Sequence, residues 1–137
     1  SQVADSIVIL GSGGVAIATA LFLLDNGDYN ITMIHKGKKP GFDVNPSYIW
    51  RYMSKLKEGK VVRVAFAEPK KITDKGVEAK TADGDKFIEA DTVILAQMHP
   101  VNELFKAKKG VSMIGDALIT RRGNSAVLDG YRIGMRL

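Results

Sequence analysis

The sequence predicts an α/β domain of three layers, with a parallel sheet packed against helices and joined to a small antiparallel meander. Three observations predict it. First, two runs, Ser6-Ile7-Val8-Ile9-Leu10 and Thr92-Val93-Ile94-Leu95-Ala96, are almost continuously apolar, as strands buried on both faces of a parallel sheet are. Second, glycines link the first run to an alanine-rich stretch, and an apolar run Ile31-Thr32-Met33-Ile34 follows. Strand, glycine turn, helix and strand together fill roughly the 30 residues of a βαβ unit. Third, Ala82-Asp83-Gly84-Asp85 lies between two short strand-like runs, the spacing of a tight hairpin.

Taken in order, residues 6–10 form the first strand and Gly11-Ser12-Gly13-Gly14 the turn. Residues 15–24 are apolar and carry only Thr19 as a polar interruption, so they read as a mostly buried helix stopped by Asp25-Asn26-Gly27. Residues 31–34 form the second strand, and residues 36–45 a loop with two glycines and a proline. Asn45 is placed to cap a helix whose first turn accepts Pro46. Tyr48, Ile49, Tyr52, Met53 and Leu56 then recur on one helical face, and Gly59 ends it. Residues 60–67 read as a third strand. Ile72, residues 77–81 and Phe87-Ile88 read as the meander, with a type I′ turn at Asp83-Gly84 and Pro69 at an edge. Residues 92–96 read as a central strand, Met113-Ile114 as the last strand, and residues 124–137 as a closing helix.

A chain of 137 residues is one domain by length. With 45% apolar and 26% charged residues it has the composition of a globular protein. No apolar run approaches the roughly 18 residues of a membrane span, and no signal-peptide pattern is present, so a cytoplasmic location is expected. The chain opens at Ser1 and enters a strand within a few residues, which reads as part of a longer protein. With no cysteine, disulfides, thiolate metal centres, redox CxxC pairs and cysteine nucleophiles are excluded. His35 and His99 are the only histidines, too few for a histidine metal site; a Ser-His-Asp triad would need one of them. The net charge of +5 suits anionic ligands. It is diffuse and lacks interleaved aromatics, so nucleic acid is not an expected partner.

The chemistry lies in Gly11-Ser12-Gly13-Gly14-Val15-Ala16, a GxGxxA form of the dinucleotide fingerprint. The first glycine allows the tight turn, the second allows backbone to approach a diphosphate, and Ala16 is small enough for helix to close on strand. The helix then aims free N–H groups and a partial positive charge at the phosphates. A glycine turn that only packs a helix remains open on these residues. At the end of the second strand stand His35-Lys36-Gly37-Lys38-Lys39, where an acidic residue would hold an adenosine ribose. Cations there favour a 2′-phosphate, hence NADPH over NADH; a solvated basic loop is the other reading. Asp28 precedes the strand and is badly placed for ribose. Ala96 and Gly115-Asp116 follow strand-like runs, and ligands in open α/β sheets bind beyond strand ends. Asp116 would accept from a sugar or ribityl hydroxyl, or merely cap a turn. His99 and the pair Arg121-Arg122 are lesser candidates. Tyr48, Trp50 and Tyr52 read as helix packing.

The fingerprint, Ala90-Asp91-Thr92-Val93-Ile94-Leu95-Ala96, Met113-Ile114-Gly115-Asp116-Ala117 and residues 126–134 occur in an order that resembles the C-terminal nucleotide-binding region of a flavoprotein family. That family includes 2,4-dienoyl-CoA reductase, 2-enoate reductase and trimethylamine dehydrogenase, and is more distantly similar to the pyridine nucleotide-disulfide oxidoreductases. The resemblance implies a Rossmann-like domain, with residues 1–110 as the NAD(P)-binding part and residues 111–137 as the tail of an FAD domain. It implies that Gly11, Gly13 and Ala16 bind the diphosphate of NADPH or NADH, and Ser12, Gly14, Val15 and Ala96 are expected among the cofactor-binding residues. His35, Lys36 and Lys38 would take the adenosine ribose phosphate, and Gly115 and Asp116 the FAD of the intact parent. It further implies an FMN barrel with an iron–sulfur cluster as partner, no catalytic residue in this chain, and an isolated domain that turns nothing over. Self-association stays open. Ala18 stands where the family has an acidic residue, and Gln97-Met98 replace a small-residue turn. These departures leave a second reading, an FAD- or ADP-binding domain whose NAD(P) site is vestigial and which serves as a structural or docking module.

Overall fold

The computed structural model describes residues 5–97 and 110–136; His99 and its neighbours lie outside them. The chain divides into two compact units, residues 1–97 and 98–137.

The first unit is built around β1 (Ser6–Leu10), whose neighbours are β2 (Asn30–Ile34) and β7 (Thr92–Leu95), both parallel to it. β3 (Val62–Val64) adds to the far side of β2, and the sheet order is β3-β2-β1-β7. Alternation along β1 sends Ile7 and Ile9 to one face and Val8 and Leu10 to the other, and all four are buried. On the first face lie α1 (Gly14–Asn26) and α2 (Pro46–Glu58), which bring Ala16, Ile17, Ala20 and Leu56 against Ile31 and Met33. On the second face lies an antiparallel meander of β4 (Glu68–Thr73), β5 (Gly76–Thr81) and β6 (Gly84–Glu89). It contributes Val77, Ala79 and the half-buried Ile88, with Ala67 just before it and Ala90 just after. The three layers are therefore helices, parallel sheet and meander, the Rossmann-like arrangement expected.

Local signals explain the helix ends. Asn45 accepts from the Ser47 N–H at 2.9 Å, Pro46 occupies the first turn, and the Gly59 N–H closes on the Lys55 carbonyl. β4 forms the meander's edge and is irregular between Pro69 and Lys71, as proline requires.

Several expectations are corrected. The third strand runs only over Val62–Val64, because Lys60 and Phe66 take φ of 54° and 52°, values an extended strand cannot contain. The hairpin forms, but Thr81 pairs with Gly84, so its two-residue loop is Ala82-Asp83. Neither has positive φ, as type I′ demands of both; Gly84 takes φ +116° instead, as in a turn completed by a glycine bulge. α1 is less buried than expected, with Val15 45% and Phe22 65% exposed on its outer side. Of the α2 aromatics only Tyr52 packs on the core; Tyr48 and Trp50 point to solvent, where the Trp50 indole N–H donates to the Ser47 carbonyl. β7 is not central among the described residues, since it pairs with β1 alone and leaves Leu95 68% exposed.

In the second unit residues 111–114 are not a strand. A single 3-10 turn at Gly115–Ala117 precedes α3 (Gly123–Gly134), the closing helix expected from residue 124. Among the described residues no helix is long and apolar enough to cross a membrane.

Leu56 is fully buried where α2 meets the core. Leu56→Ala should destabilise the first unit by about 3 kcal/mol, the usual cost of a core Leu→Ala cavity. Urea unfolding would show this as a lower midpoint with an unchanged slope.

Candidate functional site

The site grows from the carboxyl ends of β1, β2 and β7. β1 ends at Leu10, and Gly11 leaves it with φ +146°. A Cβ on Gly11 would stand 2.3 Å from the Ala96 carbonyl oxygen, so only glycine fits between the ends of β1 and β7. The Gly11 N–H donates to the Ile34 carbonyl at 3.1 Å, and the Ala96 N–H to the Leu10 carbonyl at 2.9 Å. One glycine thus ties three strand ends together.

Ser12 and Gly13 turn the chain and α1 begins at Gly14. Ala16 is completely buried against the sheet, the close helix–strand contact expected of the third fingerprint position. Gly13 stands at the N-cap with φ −77° and offers no side chain to the helix, and no acidic residue follows in the first turn. The end of α1 is therefore uncapped by its own sequence, and its first N–H groups need partners.

One partner comes from the loop after β2. The Gly14 N–H donates to Asp43 Oδ1 at 2.7 Å, across 29 residues of sequence. The same carboxylate lies 3.1–3.5 Å from where a Gly13 Cβ would point. The Gly41 N–H donates to the Ser12 carbonyl, and Pro40 and Gly41 are buried beneath the loop. Residues 40–44 thus form a strap across the glycine turn. Asp43 was not among the expected site residues. Its only sequence signal is indirect: a glycine N-cap with no acid behind it must be satisfied from elsewhere.

His35 follows β2 directly, but its side chain is not in the exposed loop. It is 3% exposed, and neither ring nitrogen has a hydrogen-bond partner. The backbone holds it there, since its N–H donates to the Val64 carbonyl and its C=O accepts from Ala67. Burial lowers the imidazole pKa below its ordinary value, with the nearby Gly37 backbone opposing and the Arg63 charge adding to the lowering. A neutral, buried ring replaces the expected cationic loop residue.

Lys36 and Lys38 are exposed, with Gly37 and Lys39, on an arch between buried His35 and buried Pro40. The Lys36 ammonium meets Glu68 Oε1 at 2.6 Å, which holds the Glu68 carboxyl below its usual range. Both side chains are more than half exposed, so this pair is weak and easily exchanged for another anion.

The structure therefore brings Gly11, Ser12, Gly13, Gly14, Val15, Ala16, Ala96 and the end of β2 together within the first unit. Gly115 and Asp116 belong to the second. There Gly115 takes φ +58°, its N–H donates to Asp129 Oδ2 at 3.2 Å, and Asp116 Oδ1 accepts from the Arg121 N–H. The Arg121 guanidinium pairs with Asp129, which fixes the 3-10 turn to α3. Asp116 thus closes a turn locally, and Arg121 is committed to a carboxylate. Among the described residues no cluster of acids and histidines could hold a metal.

Comparison with known proteins extends this geometry. The sequence profile of the pyridine nucleotide-disulphide oxidoreductases matches residues 1–134. A metal reductase of Desulforamulus reducens is 30% identical across 96% of the chain, which covers 25% of that protein. A 2-naphthoyl-CoA reductase superposes with a TM-score of 0.74 at 30% identity over the whole chain, which covers 22% of that protein. Histamine dehydrogenase from Rhizobium sp. 4-9 shares the fold, with a TM-score of 0.75 at 17% identity over 97% of the chain and 23% of its own. The chain thus spans about a quarter of the length of the curated relative it matches.

His35 supplies a test of this arrangement. Its folded pKa lies below the unfolded value of 6.5, so below that pH the unfolded chain binds more protons. Stability should therefore fall as pH drops through about 6.5 and stop falling once pH is below the folded pKa. His35→Gln should flatten that part of the stability–pH profile in urea titrations.

Proposed function

The chain belongs to the pyridine nucleotide-disulphide oxidoreductase family, and on that premise we propose that its first unit binds NAD(P)H as the hydride-donor domain of a flavin-dependent oxidoreductase. The observation that carries this is the junction of β1, Gly11 and α1: a buried parallel strand delivers a helix N-terminus with no acid in its own first turn to the carboxyl edge of the sheet. In this reading the backbone of residues 11–16 faces the diphosphate, and Ala96 bounds the turn behind it. The lysines of the 36–39 arch face the adenosine ribose. A 2′-phosphate would exchange with Glu68 for Lys36 and add Lys38, which favours NADPH over NADH. His35, neutral and buried, contributes the anchored backbone at the start of the arch rather than a charge to the ligand.

The nucleotide supplies the hydride, and the protein supplies binding and orientation. Gly115 and Asp116 are proposed to meet FAD in the intact parent, together with an FMN barrel bearing an iron–sulfur cluster that passes electrons to an enoate or enoyl thioester. The naphthoyl-CoA reductase among the similar structures supports an acyl-thioester reductase as parent.

A second reading rests on a specific observation. Asp43 already engages the Gly14 N–H, and Glu68 already engages Lys36, so two groups a nucleotide would use have protein partners. A vestigial NAD(P) site on an FAD- or ADP-binding or docking module would look like this. Calorimetric titration with NADPH, NADH and ADP separates the two. The donor-domain reading expects NADPH to bind at least about 10-fold tighter than NADH, a difference of about 1.4 kcal/mol. Lys36→Ala with Lys38→Ala should abolish that preference. Failure of all three ligands to bind would favour the vestigial site.

A further inference from the structure

We propose that Asp43 is a positioning residue that ties the lysine-bearing arch to the glycine turn, so that the two halves of the nucleotide site form one rigid frame; this rests on the nucleotide-binding reading above. The two halves are not neighbours in sequence. The glycine turn belongs to α1, and the arch belongs to the loop between β2 and α2. On its upstream side the arch is anchored by buried His35, whose N–H and C=O are both bonded to the segment around β3. Within the arch the Gly37 carbonyl accepts from the Phe66 N–H and Lys36 pairs with Glu68, and on its downstream side the arch continues into the strap of residues 40–44.

The strap meets the turn and its helix at several points. Asp43 Oδ1 accepts from the Gly14 N–H at 2.7 Å. The Gly41 N–H donates to the Ser12 carbonyl. Gly41, at φ +88°, is wedged so tightly that a Cβ would stand 2.2 Å from Ile49 Cδ1 and 3.1 Å from Ile17 Cδ1. Val44 adds an apolar contact beside Gly14, while Asp43 supplies the polar one, at the N-terminus of α1, whose own residues provide no side-chain cap. The carboxylate also lies close to Gly13, where a Cβ would stand 3.1 Å from Asp43 Oδ2 and 3.3 Å from Oδ1.

Position and charge act in opposite directions here, and this makes the proposal testable. The carboxylate holds the strap, yet its negative charge lies beside the path of a diphosphate. Asn keeps an acceptor oxygen and removes the charge; Ala removes both. D43N should keep the NADPH-over-NADH preference of the wild-type chain, with both nucleotides bound equally well or tighter. D43A should lose most of the preference, the two affinities converging to within about 3-fold while cooperative thermal unfolding persists. A readout that needs no nucleotide accompanies this: trypsin should cut after Lys36 and Lys38 at least about 5-fold faster in D43A than in wild type or D43N. A wild-type cleavage rate in D43A would overturn the proposal. So would equal tightening of both nucleotides in D43A and D43N with the preference intact, which would make Asp43 a simple electrostatic obstacle. If the wild-type chain binds neither nucleotide, the nucleotide-binding reading falls, and the cleavage rates alone decide whether Asp43 holds the arch.

Discussion

Gly11 sits where three strand ends converge, and the site cannot be assembled without that contact. Its N–H reaches the end of β2, and its missing Cβ leaves room for the Ala96 carbonyl at the end of β7. A side chain there would meet both a backbone oxygen and a φ of +146°, two penalties of different origin acting at one residue. Because the contact is backbone against backbone, nothing can swing aside to relieve it. The direction in which α1 leaves the sheet follows from it, and with that direction the burial of Ala16, Ile17 and Ala20.

β1 makes the same point about the core. It is an interior strand with both faces covered, by helices on one side and the meander on the other. A parallel strand of this kind has no solvent-facing positions on which to place polar residues. That is why its sequence is a continuous apolar run, and why that run is so informative about fold.

β1, β2, β7, α1 and α2, with the caps of α2, were legible because each rests on neighbours within a few residues. Asn45-Pro46 and Gly59 mark α2 to within a residue at each end. What was not legible depends on contacts distant in sequence or on backbone angles that many residues tolerate. Nothing about Lys60 or Phe66 announces positive φ, yet those two angles cut the third strand to three residues. His35 looks like the first residue of a basic loop, but the chain at Val64 and Ala67 wraps around its backbone and encloses the ring. Asp43 lies 29 residues from the amide it caps, and only folding brings them together. Met113-Ile114 are apolar and β-compatible, but strand formation needs a partner strand, and residues 111–114 pair with none among the described residues. The elements of the site were readable; the strap that joins them was not.

The outer edge of β7 has a consequence for the handling of this chain. Among the described residues β7 has a hydrogen-bonded neighbour on one side only, and Leu95 at its end is 68% exposed. A short parallel edge with apolar residues is a template for further backbone pairing, and no lysine or proline within Thr92-Val93-Ile94-Leu95 discourages it. Among the described residues that edge is a border at which backbone pairing of this sheet can continue. The four residues Thr92-Val93-Ile94-Leu95 therefore set where the sheet can grow on this side, and no charged side chain stands among them.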